Sequence, residues 1–281
     1  MAEPTFPPSK NEKQLHYRER LFLPASLVSE GTDNARLRPR PLKPDCTSTL
    51  RFGVPSIDEA IGGLEPPSLT VLHGSRHALT LSHLLAVRAQ LPLHEHGLDS
   101  PVLLIDAGCS FDPHRVSSLA QSHQMNPIHV LERIRLSRAF TVHQLSSLIY
   151  GWLPRAMEDH GARLVVISDL LGLFADLDTP REELLTSFLD LAKSLSNLAQ
   201  KEDAAILVTV PQRYTSPKMG ALLRLLNSRA NMILRLEERR GYLRLTLERH
   251  PKIGPGFIDV PLKSLEQGAT IQGLLAVNEA G

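Results

Sequence analysis

The chain has only two cysteines, Cys46 and Cys109, far apart and in no CxxC or other metal-ligand spacing. A disulfide framework and a thiolate metal site are therefore not expected, and the pattern reads as a reduced compartment. No apolar run approaches the ~20 residues of a membrane span, and MAEPTFPPSKNEK carries no apolar signal core. The expected location is the cytoplasm, with association to a nucleoid or nucleus left open. Charge of either sign is not in excess: the formal net charge is +1, so any nucleic-acid contact must come from local clusters. Twelve histidines are scattered, with His94 and His96 in a connecting loop, and no metal site is expected among them. No repeat of 20 to 50 residues is visible, which excludes solenoids and propellers.

What is present is a 42% hydrophobic chain of 281 residues, ample for one large domain with an appendage. Residues 1–45 are rich in proline and charge, with LRPRPLKP at Leu37 to Pro44, and read as a flexible arm or linker. One apolar island, LFLPASLV from Leu21 to Val28, lies inside it. Residues 46–281 are expected to form the folded core. Strand and helix signals alternate there, which predicts an α/β fold with a mostly parallel sheet flanked by helices.

The expected strands are Ser68 to Leu72, Val102 to Ile105, Ile134 to Leu136, Leu164 to Ile167 and Ala205 to Val210. Asp112 with Pro113 starts a helix running to about Gln121, and Thr141 with Gln144 forms a capping box for one reaching about Met157. Thr179, Pro180 and Glu182 mark another helix start, followed by Leu184, Phe188, Leu191, Leu195 and Leu198 on one helical face. A helical patch is expected near Ala221 to Leu226. Two antiparallel strands close the core, Met232 to Leu236 and Tyr242 to Arg249, joined by a turn at ERRG.

The informative stretch is SLTVLHGSRHALTLSHLLAV, Ser68 to Val87: a buried strand, a turn opening at Gly74, then a helix from about Leu79 to Leu91. That is the context of a phosphate-binding loop. A working loop needs GxxxxGK[ST], with glycines for backbone approach, Lys for the terminal phosphates and Ser or Thr for magnesium. Counted from Gly74, the last three places hold Leu79, Thr80 and Leu81. Ser75, Arg76 and His77 fill the turn, and Arg76 or His77 could meet an anion at the helix N-terminus.

The order of six segments resembles the RecA/RadA recombinase superfamily, and its archaeal and eukaryotic recombinases and paralogues most. FGVPSIDEAIGGLEPPSLTVLHG is similar to the family's lead-in to its phosphate-loop strand. LLIDAGCSFDPHRV is similar to the strand followed by Asp-Thr-Glu-Gly-Thr-Phe-Arg-Pro-Glu-Arg, and SRAFTVHQL to Ala-Arg-Ala-Phe-Asn-Thr-Asp-His-Gln. LVVISD stands at the second magnesium-binding strand, LVTVPQ at the strand ending in Asn-Gln, and ERHPKIGPG near the end of the core. The resemblance runs from Phe52 to Gly256 and implies a RecA-like core.

It also implies what has been lost. With Asp106 and Phe111 aligned, the family's water-positioning Glu falls at Gly108. The magnesium-side Asp falls at Ser168, with Asp169 displaced by one residue and, on a period-two strand, facing the other way. The loop after Gly74 aligns two residues short. Bound ATP and intrinsic hydrolysis are not expected, and no cofactor is assigned.

The resemblance implies recombinase or paralogue subunits as partners, a homo- or hetero-oligomer, and single-stranded DNA as a candidate ligand. Phe22 and Ala25 have the Phe-x-x-Ala form with which such recombinases plug one subunit into the next; a hydrophobic tether to the chain's own core is the alternative. RYTSPKMGALLRLLNSRAN occupies the place of a DNA-binding loop, with Arg213, Lys218, Arg224 and Arg229 as phosphate contacts and Tyr214 as a stacking platform. Two other functions stay open: a KaiC-like regulatory platform that binds protein and not DNA, and a weak atypical ATPase using Arg76 or His77.

Overall fold

The computed structural model describes residues 49–175, 180–211, 214 and 216–266. Periodicity builds its sheet. β1 (Ser68–His73), β2 (Val102–Asp106), β4 (Leu164–Ser168) and β5 (Ala205–Val210) are buried along their whole length, as near-continuous apolar strands must be when both faces are covered. β3 (Ile134–Arg138) forms one edge. β6 (Met232–Arg239), β7 (Tyr242–Arg249) and β8 (Gly256–Pro261) extend the other side. The eight strands run β3-β2-β4-β5-β1-β6-β7-β8. The first six in this order pair parallel, and β7 and β8 pair antiparallel. The expected α/β class, mostly parallel sheet and antiparallel C-terminal extension are therefore observed.

Alternation along each strand divides the core into two layers. Leu72, Val102, Leu104, Leu164, Val166, Ala205 and Leu207 face one side, where α1 (Pro55–Ile61), α2 (His77–Arg88), α3 (Pro113–Ser122) and α4 (Pro127–Glu132) pack. Leu69, Val71, Leu103, Ile105, Val165, Ile167, Ile206 and Val208 face the other. That side is covered by α5 (Val142–Ser147), a π-helical segment (Leu148–Trp152), α6 (Leu153–His160), α7 (Arg181–Glu202) and α8 (Pro217–Arg229). A last short helix, α9 (Leu262–Glu266), follows β8 directly.

Local chemistry explains most boundaries. The Asp112 carboxylate accepts from His114 N and Arg115 N at 3.0 Å each and caps α3, with Pro113 at its first position. Such a cap is worth about 1 kcal/mol. Thr141 Oγ1 accepts from Gln144 N at 3.2 Å, and Gln144 Oε1 in turn accepts from Phe140 N at 2.8 Å. The single helix expected after Thr141 is instead two α segments joined through the π turn. On α7, Leu184, Phe188, Leu191, Leu195 and Leu198 are all buried, as their spacing predicts. That helix starts at Arg181 with Pro180 at the cap and no side-chain capping bond; the cap expected at Thr179 lies outside the described residues. Helices α1 and α4 and strand β8 were not anticipated; each is only 6 or 7 residues long, too short for periodicity to stand out.

Candidate functional site: the carboxyl rim of the sheet

Parallel pairing brings the candidate residues to one edge. His73 pairs with Val210, Ile167 with Val208, and Asp106 with Ser168. The loops that follow β1, β5, β4 and β2 therefore share a rim outside the carboxyl ends of the strands, where open α/β sheets bind ligands. Gly74 to His77, Asp106 to Gly108, Ser168, Asp169 and Tyr214 all come to this rim.

The turn after β1 is short. β1 ends at His73 and α2 begins at His77, which leaves only Gly74, Ser75 and Arg76 between them. The helix starts two residues earlier than the apolar periodicity indicated. Its leading N–H groups are used locally: His77 N donates to Ser75 Oγ at 3.3 Å, Ala78 N to Ser75 O and Leu79 N to Arg76 O, each at 3.0 Å. Gly74, at φ +98°, donates to Val210 O, and a Cβ built on it would stand 2.8 Å from Leu236 O. The backbone of β6 thus approaches the turn as closely as glycine permits. Thr80 lies in the first turns of α2 and accepts from Arg115 Nη1 at 3.4 Å, while Leu81 is core.

The β6–β7 hairpin places carboxylates over this turn. Glu238 Oε2 lies 3.3 Å from His77 Nε2 and 3.8 Å from Arg76 Nε. Glu248 Oε2 lies 3.2 Å from His73 Nε2, and its Oε1 is 3.0 Å from Arg235 Nε. Glu237 pairs with Arg235 and Arg239 at 3.3 and 2.8 Å. His77 Nε2 and Arg235 Nε lie at these distances without hydrogen-bond alignment. The sequence showed the charges alternating along β7 but not that Glu248 reaches back to β1 and Glu238 to the turn after it; that pairing exists only once β6 lies beside β1.

On the other half of the rim, Asp106 is fully buried and committed to holding its own loop. It accepts from Ser110 N at 2.9 Å, Ser110 Oγ at 3.2 Å and Phe111 N at 3.1 Å, with Arg138 Nε 3.5 Å away. Strand β4 ends at Ser168, whose buried Oγ has no hydrogen-bond partner. Asp169 is therefore not a strand residue with a period-two direction. It sits in the left-handed region at φ +50°, its N–H bonded to Thr209 Oγ1 at 3.1 Å. Its carboxylate fills the space against two glycines: a Cβ on Gly108 would stand 2.7 Å from Asp169 Cβ, and one on Gly172 2.7 Å from Asp169 Oδ2. Thr209 and Gly172 carried no signal in the sequence.

Burial pushes the Asp169 carboxyl above its usual range; Gly172 and the Tyr214 hydroxyl pull it back, and the Asp106 charge raises it further. The Tyr214 phenol is pushed up to about 12 by burial and by the Asp169 charge. Neither the Tyr214 hydroxyl nor Asp169 Oδ1 completes a hydrogen bond of good geometry, so the two face each other as a loose buried pair.

Tyr214 is half-buried against the second core layer rather than displayed as an open ring. Arg213 lies outside the described residues, as do Phe22, Ala25 and Cys46. Lys218, Arg224 and Arg229 fall on α8, but at 100° per residue Lys218 and Arg229 share a face while Arg224 stands about 120° away. Arg224 instead borders an apolar groove with Leu185, Leu189, Ala221 and Leu225. The three cations do not form one stripe. Cys109 is exposed and free. Among the described residues no group of three His, Cys, Asp or Glu side chains could hold a metal, and no helix is long and apolar enough to cross a membrane.

Comparison with known proteins fits this geometry. The Rad51 family profile matches residues 47–227. The chain is 32% identical over 166 residues to the meiotic recombination protein DMC1 homolog B of Oryza sativa subsp. japonica, covering 57% of this chain and 48% of that protein. Identity and coverage are the same for the DNA repair protein RAD51 homolog B of Zea mays. The meiotic recombination protein DMC1 homolog of Arabidopsis thaliana is 31% identical over the same length. The chain thus spans about half the length of the curated relatives it matches.

Proposed function

Because the chain belongs to the Rad51 family, and so to the RecA/RadA recombinase superfamily, we propose that it is a non-catalytic paralogue serving homologous recombination and DNA repair. In this reading it works by binding recombinase or paralogue subunits, with single-stranded DNA as a second ligand, in the compartment that holds DNA. Names of relatives such as meiotic recombination protein and DNA repair protein support the process. The observation that carries the non-catalytic part is the three-residue turn Gly74–Ser75–Arg76 beneath β6, with Glu238 facing it.

A magnesium–triphosphate does not fit these residues. Phosphoryl transfer depends on positioning and on neutralising developing negative charge. Here Thr80 and Leu81 stand where Lys and the magnesium-side hydroxyl would, Gly108 has no carboxylate, and the nearby Glu238 and Glu248 carboxylates repel phosphate. Asp106 is occupied with its own loop and Asp169 is wedged between two glycines. Phe22 and Ala25 would supply the subunit contact, and the segment from Arg213 to Arg229 the DNA contact.

The dispersal of cations around α8 and the packing of Tyr214 favour a second reading, a protein-binding platform without DNA contact, of the KaiC-like regulatory kind. Purified protein is assayed for phosphate release from ATP, and tagged protein is recovered from its native cells with its bound partners. The proposal expects no turnover and a co-purifying recombinase. Turnover abolished by Asp106→Ala or Asp169→Ala would overturn the non-catalytic reading, and recovery of unrelated regulators alone would replace it with the platform.

A further inference from the structure

Resting on the reading of this rim as a nucleotide site without nucleotide chemistry, we infer that the β6–β7 hairpin supplies an internal anion in place of phosphate. Its carboxylates Glu238 and Glu248, more than the missing lysine, keep phosphate from the turn after β1. The basic groups that an incoming anion would use are Arg76, His77, His73 and Arg235. Each already lies within 4 Å of one of these two carboxylates: Glu238 with Arg76 and His77, Glu248 with His73 and Arg235. The turn sits at the start of α2, a 12-residue helix whose N-terminus favours negative charge. A carboxylate in this place satisfies both the side chains and the helix terminus, and a phosphate approaching it meets like charge.

The clamp is held from behind by backbone geometry. Leu236 O lies against Gly74, and β6 pairs with β1 through His73 and Arg235, so Glu238 on β6 is held in fixed register with the turn that follows β1. Glu238 follows Leu236 by two residues on the same strand and is 45% exposed, so its replacement removes charge without opening the core.

The test is anion binding by the full-length chain carrying Glu238→Gln and Glu248→Gln together. Inorganic phosphate and ATP without magnesium are the probes, read by thermal shift and by calorimetric titration. A control pair, Glu158→Gln with Glu183→Gln, changes net charge equally at exposed positions on α6 and α7. The wild type and control are expected to show no shift. The clamp variant gains a rise of roughly 2–4 °C once phosphate exceeds its Kd about fivefold. A further Arg76→Ala change abolishes the gain. Glu238→Gln alone, at the more exposed carboxylate, gives a smaller gain and serves if the double variant does not fold. Equal phosphate binding by the clamp and control variants, or no binding by either clamp variant, overturns the inference. Hydrolysis of ATP by the wild type would instead overturn the non-catalytic reading and leave the clamp to be judged by phosphate alone.

Discussion

In the proposed alignment Gly108 stands where the family's water-positioning Glu would be, and its surroundings predict that a side chain cannot simply be introduced there. A Cβ at this position would lie 2.7 Å from Asp169 Cβ and 2.9 Å from Asp169 Oδ2. Contact with a Cβ cannot be relieved by rotating a side chain, so Asp169 itself must move. It is pinned by its N–H bond to Thr209 Oγ1 and by Gly172, which the carboxylate also touches. Overpacking of this kind costs about 1–3 kcal/mol. For a domain of this size that lowers the melting temperature by roughly 2–4 °C per kcal/mol. Gly108→Ala is therefore expected to melt several degrees below wild type by circular dichroism. Gly108→Glu melts lower still, because it adds a third carboxylate beside Asp106 and Asp169, and it restores no phosphate release. In an Asp169→Gly background the obstructing Cβ is gone and Gly108→Ala should lose most of its cost, a coupling of at least ~1 kcal/mol. Gly108→Ala within ~0.5 kcal/mol of wild type, or an equal cost in both backgrounds, would refute the argument.

His83, buried against the edge of Phe111, has its pKa lowered to about 4 by burial first and by the Arg115 charge second. The unfolded chain therefore binds the extra proton between about pH 6.5 and 4, so stability falls as pH drops through that window. The loss is on the order of 3 kcal/mol, and urea titrations of His83→Gln should show that part of the pH dependence removed. If single-stranded DNA binds along α8, the face shared by Lys218 and Arg229 decides the salt dependence. Lys218→Ala with Arg229→Ala should reduce the slope of log K against log salt by roughly 1.4, and Arg224→Ala should leave it unchanged. An equal effect from Arg224, or no affinity of the wild type at low salt, would remove α8 from the DNA reading.

Much of the sheet could be read from the chain because buried parallel strands leave unbroken apolar runs and helix starts leave polar caps. Val102 to Ile105, Leu164 to Ile167 and Ala205 to Val210 are such runs; Asp112 and Thr141 are such caps. The expectation that phosphate chemistry is absent was also local, since it rests on the identity of Leu79, Thr80, Leu81 and Gly108 at spaced positions. Short elements such as Pro127–Glu132 and Gly256–Pro261 escaped because six residues carry too few periods to rise above chance.

What faces the turn after β1 belongs to tertiary structure alone. Glu238 and Glu248 are far from His73 and His77 in the chain, and only the parallel pairing of β6 with β1 brings their carboxylates to the turn. Likewise, the direction of Asp169 could not follow from strand alternation, because β4 ends one residue earlier. A left-handed backbone, two glycines and Thr209 then set where its charge points. A sequence records which groups are present; which charge cancels which depends on strand order, and that is decided when the whole sheet packs.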